Sequence, residues 1–151
     1  KCLVSGMEPI PSHPIINAHI VKKMNKIVSF DFDGTLTRPD VQIYCLELIK
    51  QGYDVHIVTT RFDELHKHLW QNKPTNDDMY LITDKLGIKR ENIHFMNFNY
   101  GKGAYLFDSF AKFHLDDDDH ELDGFSTKQK TKPVFVLRDD WQTICDNILK
   151  Y

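Results

Sequence analysis

Cysteine is scarce: Cys2, Cys45 and Cys145 are the only three in 151 residues, an odd number with no CxxC spacing. Neither a disulfide framework nor a zinc knuckle is indicated, and a reducing, cytoplasmic setting is expected. No run approaches eighteen consecutive apolar residues, so no membrane-spanning helix and no membrane partner are expected. The first residues also lack the charged start, apolar run and small-residue cleavage site of a secretory signal. Basic charge is not in excess, since 19 Lys and Arg against 22 Asp and Glu give −3. That balance argues against a general nucleic-acid-binding surface. Glutamate is the oddest shortage, with 5 Glu beside 17 Asp. Asp competes with the helix backbone, so an Asp-heavy chain places its acids at caps, turns and strand ends, where metal and catalytic sites are built.

What is present suffices for one domain. The 41% hydrophobic and 12% aromatic content supports a real core, and the length leaves no room for two ordinary domains. Residues 1–23 carry three of the six prolines and no clear period. They read as an N-terminal extension, native or appended, with Met24 as a natural initiator and residues 24–151 as the domain. From there the pattern alternates. Strands are expected at 26–31, 53–59, 92–97, 112–116 and 134–137. Helices are expected at 39–51, 62–70, 76–86, 102–110 and 139–149, with turns at Pro74 and Gly87. Strands alternating with helices predict an α/β fold: one Rossmann-like, three-layer α/β/α domain with a five-stranded, mainly parallel sheet in the order 3-2-1-4-5. Right-handed crossovers bring the strands' C-terminal ends to one edge, where Asp31, Thr59 and Asp116 would gather.

The first strand runs into Asp31-Phe32-Asp33-Gly34-Thr35-Leu36-Thr37. Carboxylates at i and i+2 leave a strand end on the same side, while Phe32 points back to the core. A calcium loop would need a further Asp or Asn before its Gly and a Glu at position 12, where this chain has Gln42. By average residue usage, DxDGT followed by Leu or Val arises by chance in roughly one such chain per several thousand, so the string carries information.

This string resembles the nucleophile motif of the haloacid dehalogenase-like superfamily, in its phosphatase branch. Three further motifs of that family have similar counterparts here in the same order. Ile57-Val58-Thr59-Thr60-Arg61 looks like the strand ending in Thr or Ser. Gly101-Lys102-Gly103 looks like the motif lysine, and Phe113-His114-Leu115-Asp116-Asp117-Asp118-Asp119 looks like the strand ending in paired acids. The resemblance implies a Mg²⁺-dependent phosphatase that hydrolyses a phosphate monoester through an aspartyl-phosphate. Asp31 would be the nucleophile and Asp33 the general acid and base, with Thr59 and Lys102 holding the phosphoryl group. Phosphate contacts would extend to Gly34, Thr60 and Arg61. The metal would lie among Asp31, the carbonyl of Asp33, and Asp117, with Asp116 as neighbour or ligand. Carboxylates crowded on one edge repel each other and a phosphate, so a hard divalent cation is the simple reason to assemble them.

Neither motif interval holds a separate cap domain, so the resemblance is to a capless member. An open site suits a small phosphorylated molecule or a phosphate exposed on a macromolecule, including a nucleotide or polynucleotide end. Arg38 and Arg138 are expected near the same edge. Residues 128–132 (KQKTK) read as a solvated loop at the opposite edge. Tyr100, Tyr105, Phe107 and Phe110 are expected to pack their helix onto the sheet, and His114 with His120 is not expected to share a metal. Two rival readings are a phosphoacceptor signalling module and a non-catalytic Mg²⁺-binding interaction domain on a similar fold.

Overall fold

A computed structural model describes residues 26–66, 75–97, 99 and 101–151. The expected residues 1–23, Tyr100, the turn at Pro74 and the second half of the 62–70 helix lie outside these described residues. β1 (Ile27–Phe30), β2 (Asp54–Thr59), β3 (Ile93–Phe95), β4 (Phe113–Asp116) and β5 (Lys132–Phe135) form one sheet in the order 3-2-1-4-5. Every pairing is parallel. The helices are α1 (Pro39–Lys50), α2 (Asp77–Leu86), α3 (Lys102–Tyr105), α4 (Asp119–Asp123) and α5 (Trp141–Leu149). Among the described residues no helix is long and apolar enough to cross a membrane, and no second domain is present.

The strands' period of two decides what each face of the sheet carries. On one face Val28, Phe30, Val55, Ile57, Phe113 and Leu115 are buried against Val41, Tyr44, Cys45 and Leu48 of α1, Met79 of α2, and Trp141 and Cys145 of α5. Tyr44 meets Trp141 edge-to-face at 5.3 Å, which joins α1 to α5. This is the main core. On the other face Val58 packs with Met96, Leu106 and Phe125 in a smaller cluster. The intervening positions of that face are polar: Ser29, His56, His94, His114 and Asp116. β1 and β4 pair Ser29 with His114 in register. A polar second face needs polar cover, and α3 and α4 supply it.

Several elements differ from expectation. Residues 64–66 form a turn and residues 62–63 no regular element, so the described part of this segment is not helical. α3 is one turn long, and beyond it the chain continues in turns, with Phe107 N–H donating to Ala104 O at 3.2 Å and Ser109 N–H to Leu106 O at 3.0 Å. β5 begins two residues earlier than expected and includes Pro133, which an edge strand tolerates. Residues 119–123 are helical. Tyr105 meets the sheet as expected, edge-to-face with His94 of β3 at 5.8 Å, although it stays 51% exposed, while Phe107 and Phe110 remain 48% and 44% exposed.

Candidate functional site

Asp31 leaves β1 with its N–H still donating to Leu115 O at 2.8 Å, so it is held as an extension of the strand. The chain then folds back over residues 32–36. Leu36 N–H and Thr37 N–H donate to the carbonyls of Asp31 and Phe32, each at 3.3 Å. Gly34 makes this turn possible at φ +77°, and a Cβ there would overlap the Asp117 carboxylate. Phe32 is buried as expected, and Thr35 Oγ1 donates to Asp31 Oδ2 at 3.1 Å.

The opposite wall comes from α3 and the end of β4. Lys102 is 2% exposed, and its Nζ donates to Asp31 Oδ1 at 2.8 Å and to Asp116 Oδ2 at 2.9 Å. α3 lies close enough to do this because Gly103 has no side chain: a Cβ there would sit 2.5 Å from the Gly124 carbonyl oxygen. Asp116 Oδ2 also accepts from His114 Nε2 at 2.7 Å, two residues back on the same face. His114 Nδ1 in turn faces Ser29 Oγ at 2.8 Å, so a neutral imidazole with its proton on Nε2 satisfies both neighbours. Asp116 Oδ1 accepts the Asp118 N–H at 3.0 Å. Asp118 caps α4 by accepting from His120 N–H and Glu121 N–H. The four-acid run thus divides into a buried Asp116, a half-buried Asp117, a capping Asp118 and an exposed Asp119 at the start of α4.

Charge in this cluster is tightly constrained. Burial pushes the Asp31 carboxyl well above the usual range; Lys102 opposes the shift and Asp116 adds to it. Burial disfavours the Lys102 charge, but Asp31 and Asp116 more than offset this and hold the ammonium charged. Burial would raise Asp116 too, yet the bonds from His114 and Lys102 outweigh it and keep that carboxylate ionised. Asp117 is raised by burial, with Asp116 contributing. One settled cation and one settled anion therefore adjoin two carboxyls that resist ionisation.

Asp31, Asp116 and Asp117 each offer an oxygen within 4.8 Å of the other two, so this group could hold a metal ion. The donor set fits a hard cation, which would let Asp31 and Asp117 ionise together. Nearby Glu121 accepts from Gly101 N–H and Lys102 N–H through Oε1, while its Oε2 is buried with no hydrogen-bond partner among the described residues. The cleft above these residues holds about 400 Å³ and is also lined by Asp33 and Thr60.

Arg61 stands apart from an anion-gripping role. Its Nε and Nη2 donate to the two oxygens of Asp33, both at 2.8 Å, and Nη1 and Nη2 donate to the two oxygens of Asp78, also at 2.8 Å. Nη1 donates to Asn76 Oδ1 at 3.3 Å as well. All five N–H groups are thus committed to protein acceptors, and the Asp78 and Asp33 bonds hold the guanidinium firmly charged. Thr59 is buried and its Oγ1 accepts Arg61 N–H at 3.2 Å, while neighbouring Thr60 faces the cleft. Arg38 and Arg138 bind Asp40 and Asp140 and do not line the cleft.

The sequence reading missed Glu121, Asn76 and Asp78. Asp118 followed three residues later by Glu121 is a helix-start signal that was available. Nothing local marks Asp78 or Asn76, because their role exists only across the turn to Arg61. No protein-family model, curated protein or solved structure matches the chain.

Proposed function

We propose that this chain is a Mg²⁺-dependent phosphatase that hydrolyses a phosphate monoester through an aspartyl-phosphate at Asp31. The observation that carries the proposal is the Lys102 bridge between Asp31 and Asp116, with Asp117 alongside, at the C-terminal edge of a parallel sheet. A strand-end carboxylate fixed on both oxygens and flanked by a buried ammonium suits attack on phosphorus. In the first step an Asp31 oxygen bonds to phosphorus, the ester P–O bond breaks, and Asp33 gives a proton to the departing alkoxide. In the second, water attacks phosphorus, the bond to Asp31 breaks, and Asp33 takes the water's proton. Lys102 offsets charge on the phosphoryl oxygens, and Thr60 offers a hydroxyl from the cleft wall. Asp31 and Asp117, with the carbonyl of Asp33 and with Asp116 in support, would hold Mg²⁺, which would supply neutralising charge at the phosphoryl group.

The clamp on Asp33 favours one competitor. A carboxylate held on both oxygens by Arg61 is poorly free to move protons, which suits a phosphoacceptor module that keeps its phosphoryl group. Turnover of an aryl phosphate with Mg²⁺ separates the two. Multiple turnovers in the parent and none in Asp31→Asn support the phosphatase. Equal rates in both proteins refute it, and a single stoichiometric phosphorylation without turnover favours the phosphoacceptor.

A further inference from the structure

At the opposite end of the sheet from the acidic cleft lies a groove of about 730 Å³ that no part of the proposed chemistry uses. Four lysines line it, Lys112, Lys128, Lys130 and Lys132, together with the aromatic rings of Phe110 and Tyr151, and no Asp or Glu does. In a chain of net charge −3 this is a local reversal of sign. Among the described residues none of the four lysines has a carboxylate partner: Lys132 Nζ donates to Gln129 O at 3.0 Å, and Lys130 Nζ lies 4.7 Å above the Phe110 ring.

The lysines are presented by a built turn and not by a loose charge run. In the Lys-Gln-Lys-Thr-Lys sequence, Gln129 and Thr131 are 3% and 0% exposed. Gln129 Nε2 donates to Gly103 O at 3.1 Å, and its Oε1 accepts Ser126 N–H at 2.7 Å. Thr131 Oγ1 donates to Ala111 O at 2.8 Å. Two buried polar anchors at alternate positions turn Lys128, Lys130 and Lys132 outward together. Lys112 stands beside them, because its carbonyl accepts the Lys132 N–H at 3.1 Å where β4 and β5 begin. The segment expected to be a solvated loop is thus a pinned cationic platform with exposed aromatic rings.

We infer that this groove binds single-stranded nucleic acid. Lysines spaced along a groove track a phosphate backbone, and exposed aromatic faces accept bases without demanding a sequence. An acidic peptide would use the lysines but not the exposed parts of the Phe110 and Tyr151 rings. The groove is separate from the acidic cleft: Lys112 immediately precedes β4 and Asp116 ends it, roughly 13 Å apart at strand rise. It does not depend on the proposed phosphatase activity.

The test is fluorescence anisotropy of a labelled short oligothymidylate with the full chain over a range of salt concentrations. Binding is expected with log K falling linearly in log salt, and Lys112→Ala, Lys128→Ala and Lys130→Ala should each lower the slope by about 0.7. Phe110→Ala should weaken binding about fivefold or more with the slope unchanged. Unchanged thermal midpoints in these variants, and aryl-phosphate turnover equal to the parent's, separate groove from fold and from cleft. Absence of binding at low salt, or binding that the lysine variants leave intact, overturns the inference. So does equal affinity for a polyphosphate that lacks bases, or competition by a free mononucleotide as strong as by the strand.

Discussion

Lys102 ties the cleft together, because its ammonium bridges the two buried carboxylates of Asp31 and Asp116. Lys102→Met leaves Asp116 charged and buried without its cation, and breaking such a pair typically costs about 3–5 kcal/mol. Urea unfolding should show a loss of that order, and a change below about 1 kcal/mol would contradict the bridging role. Gly34 makes a different prediction. Its positive φ and its contact with Asp117 leave no room for a methyl group, so Gly34→Ala should displace either the turn or Asp117. Misplacement on the order of 1 Å can lower turnover about a hundredfold. Aryl-phosphate kinetics at saturating Mg²⁺ check this, and parent-like turnover would refute it.

At the scale of elements, the spacing of the one-turn helix α3 from α4 controls where Lys102 stands. Gly103→Ala would drive a Cβ into the Gly124 carbonyl, with an expected destabilisation of about 1–3 kcal/mol. An unchanged midpoint in urea would show that α3 is not packed this closely. The second sheet face makes a pH prediction. His94 Nε2 faces His56 Nδ1 at 2.9 Å, Tyr105 OH meets His94 Nδ1 at 2.9 Å, and Asp54 lies 3.2 Å beyond on His56 Nε2. Burial, then the neighbouring His56, lowers the His94 pKa. The unfolded chain therefore binds the proton more tightly, and stability falls as pH drops below about 6.5 towards the folded value. Denaturation midpoints from pH 7.5 to 5 should show this decline, with a shallower decline in His94→Asn. An identical slope in the two proteins would contradict it. These elements also show what sequence could reveal. β1, α1, β2 and α2 fall within a residue or two of expectation, because each has a clear period and an end signal such as Pro39 or Gly87. α3 and β5 differ from expectation because α3 passes directly into turns after Tyr105 and because β5 takes Pro133 at an edge position. The four motif strings were readable; the grip of Arg61 on Asp33 and Asp78 was not, since it depends on which residues meet after folding.

Among the described residues, two clefts at opposite ends of the parallel sheet differ in charge: acids line the one at the strands' C-terminal ends, and lysines line the one where β4 and β5 begin. Two carboxyls resist ionisation in the acidic cleft, so a cation that binds only the folded chain should stabilise it by mass action. Mg²⁺ should raise the thermal midpoint of the parent and leave Asp117→Asn almost unmoved; equal shifts in both would place the ion elsewhere. The most direct test of the proposed phosphatase is to quench the protein during incubation with an aryl phosphate and Mg²⁺ and reduce any acyl-phosphate with borohydride. Peptide mass spectrometry then locates the modified residue. Modification at Asp31 alone is the predicted result. Turnover with no modified carboxylate, or with the mark on another residue, would contradict the account.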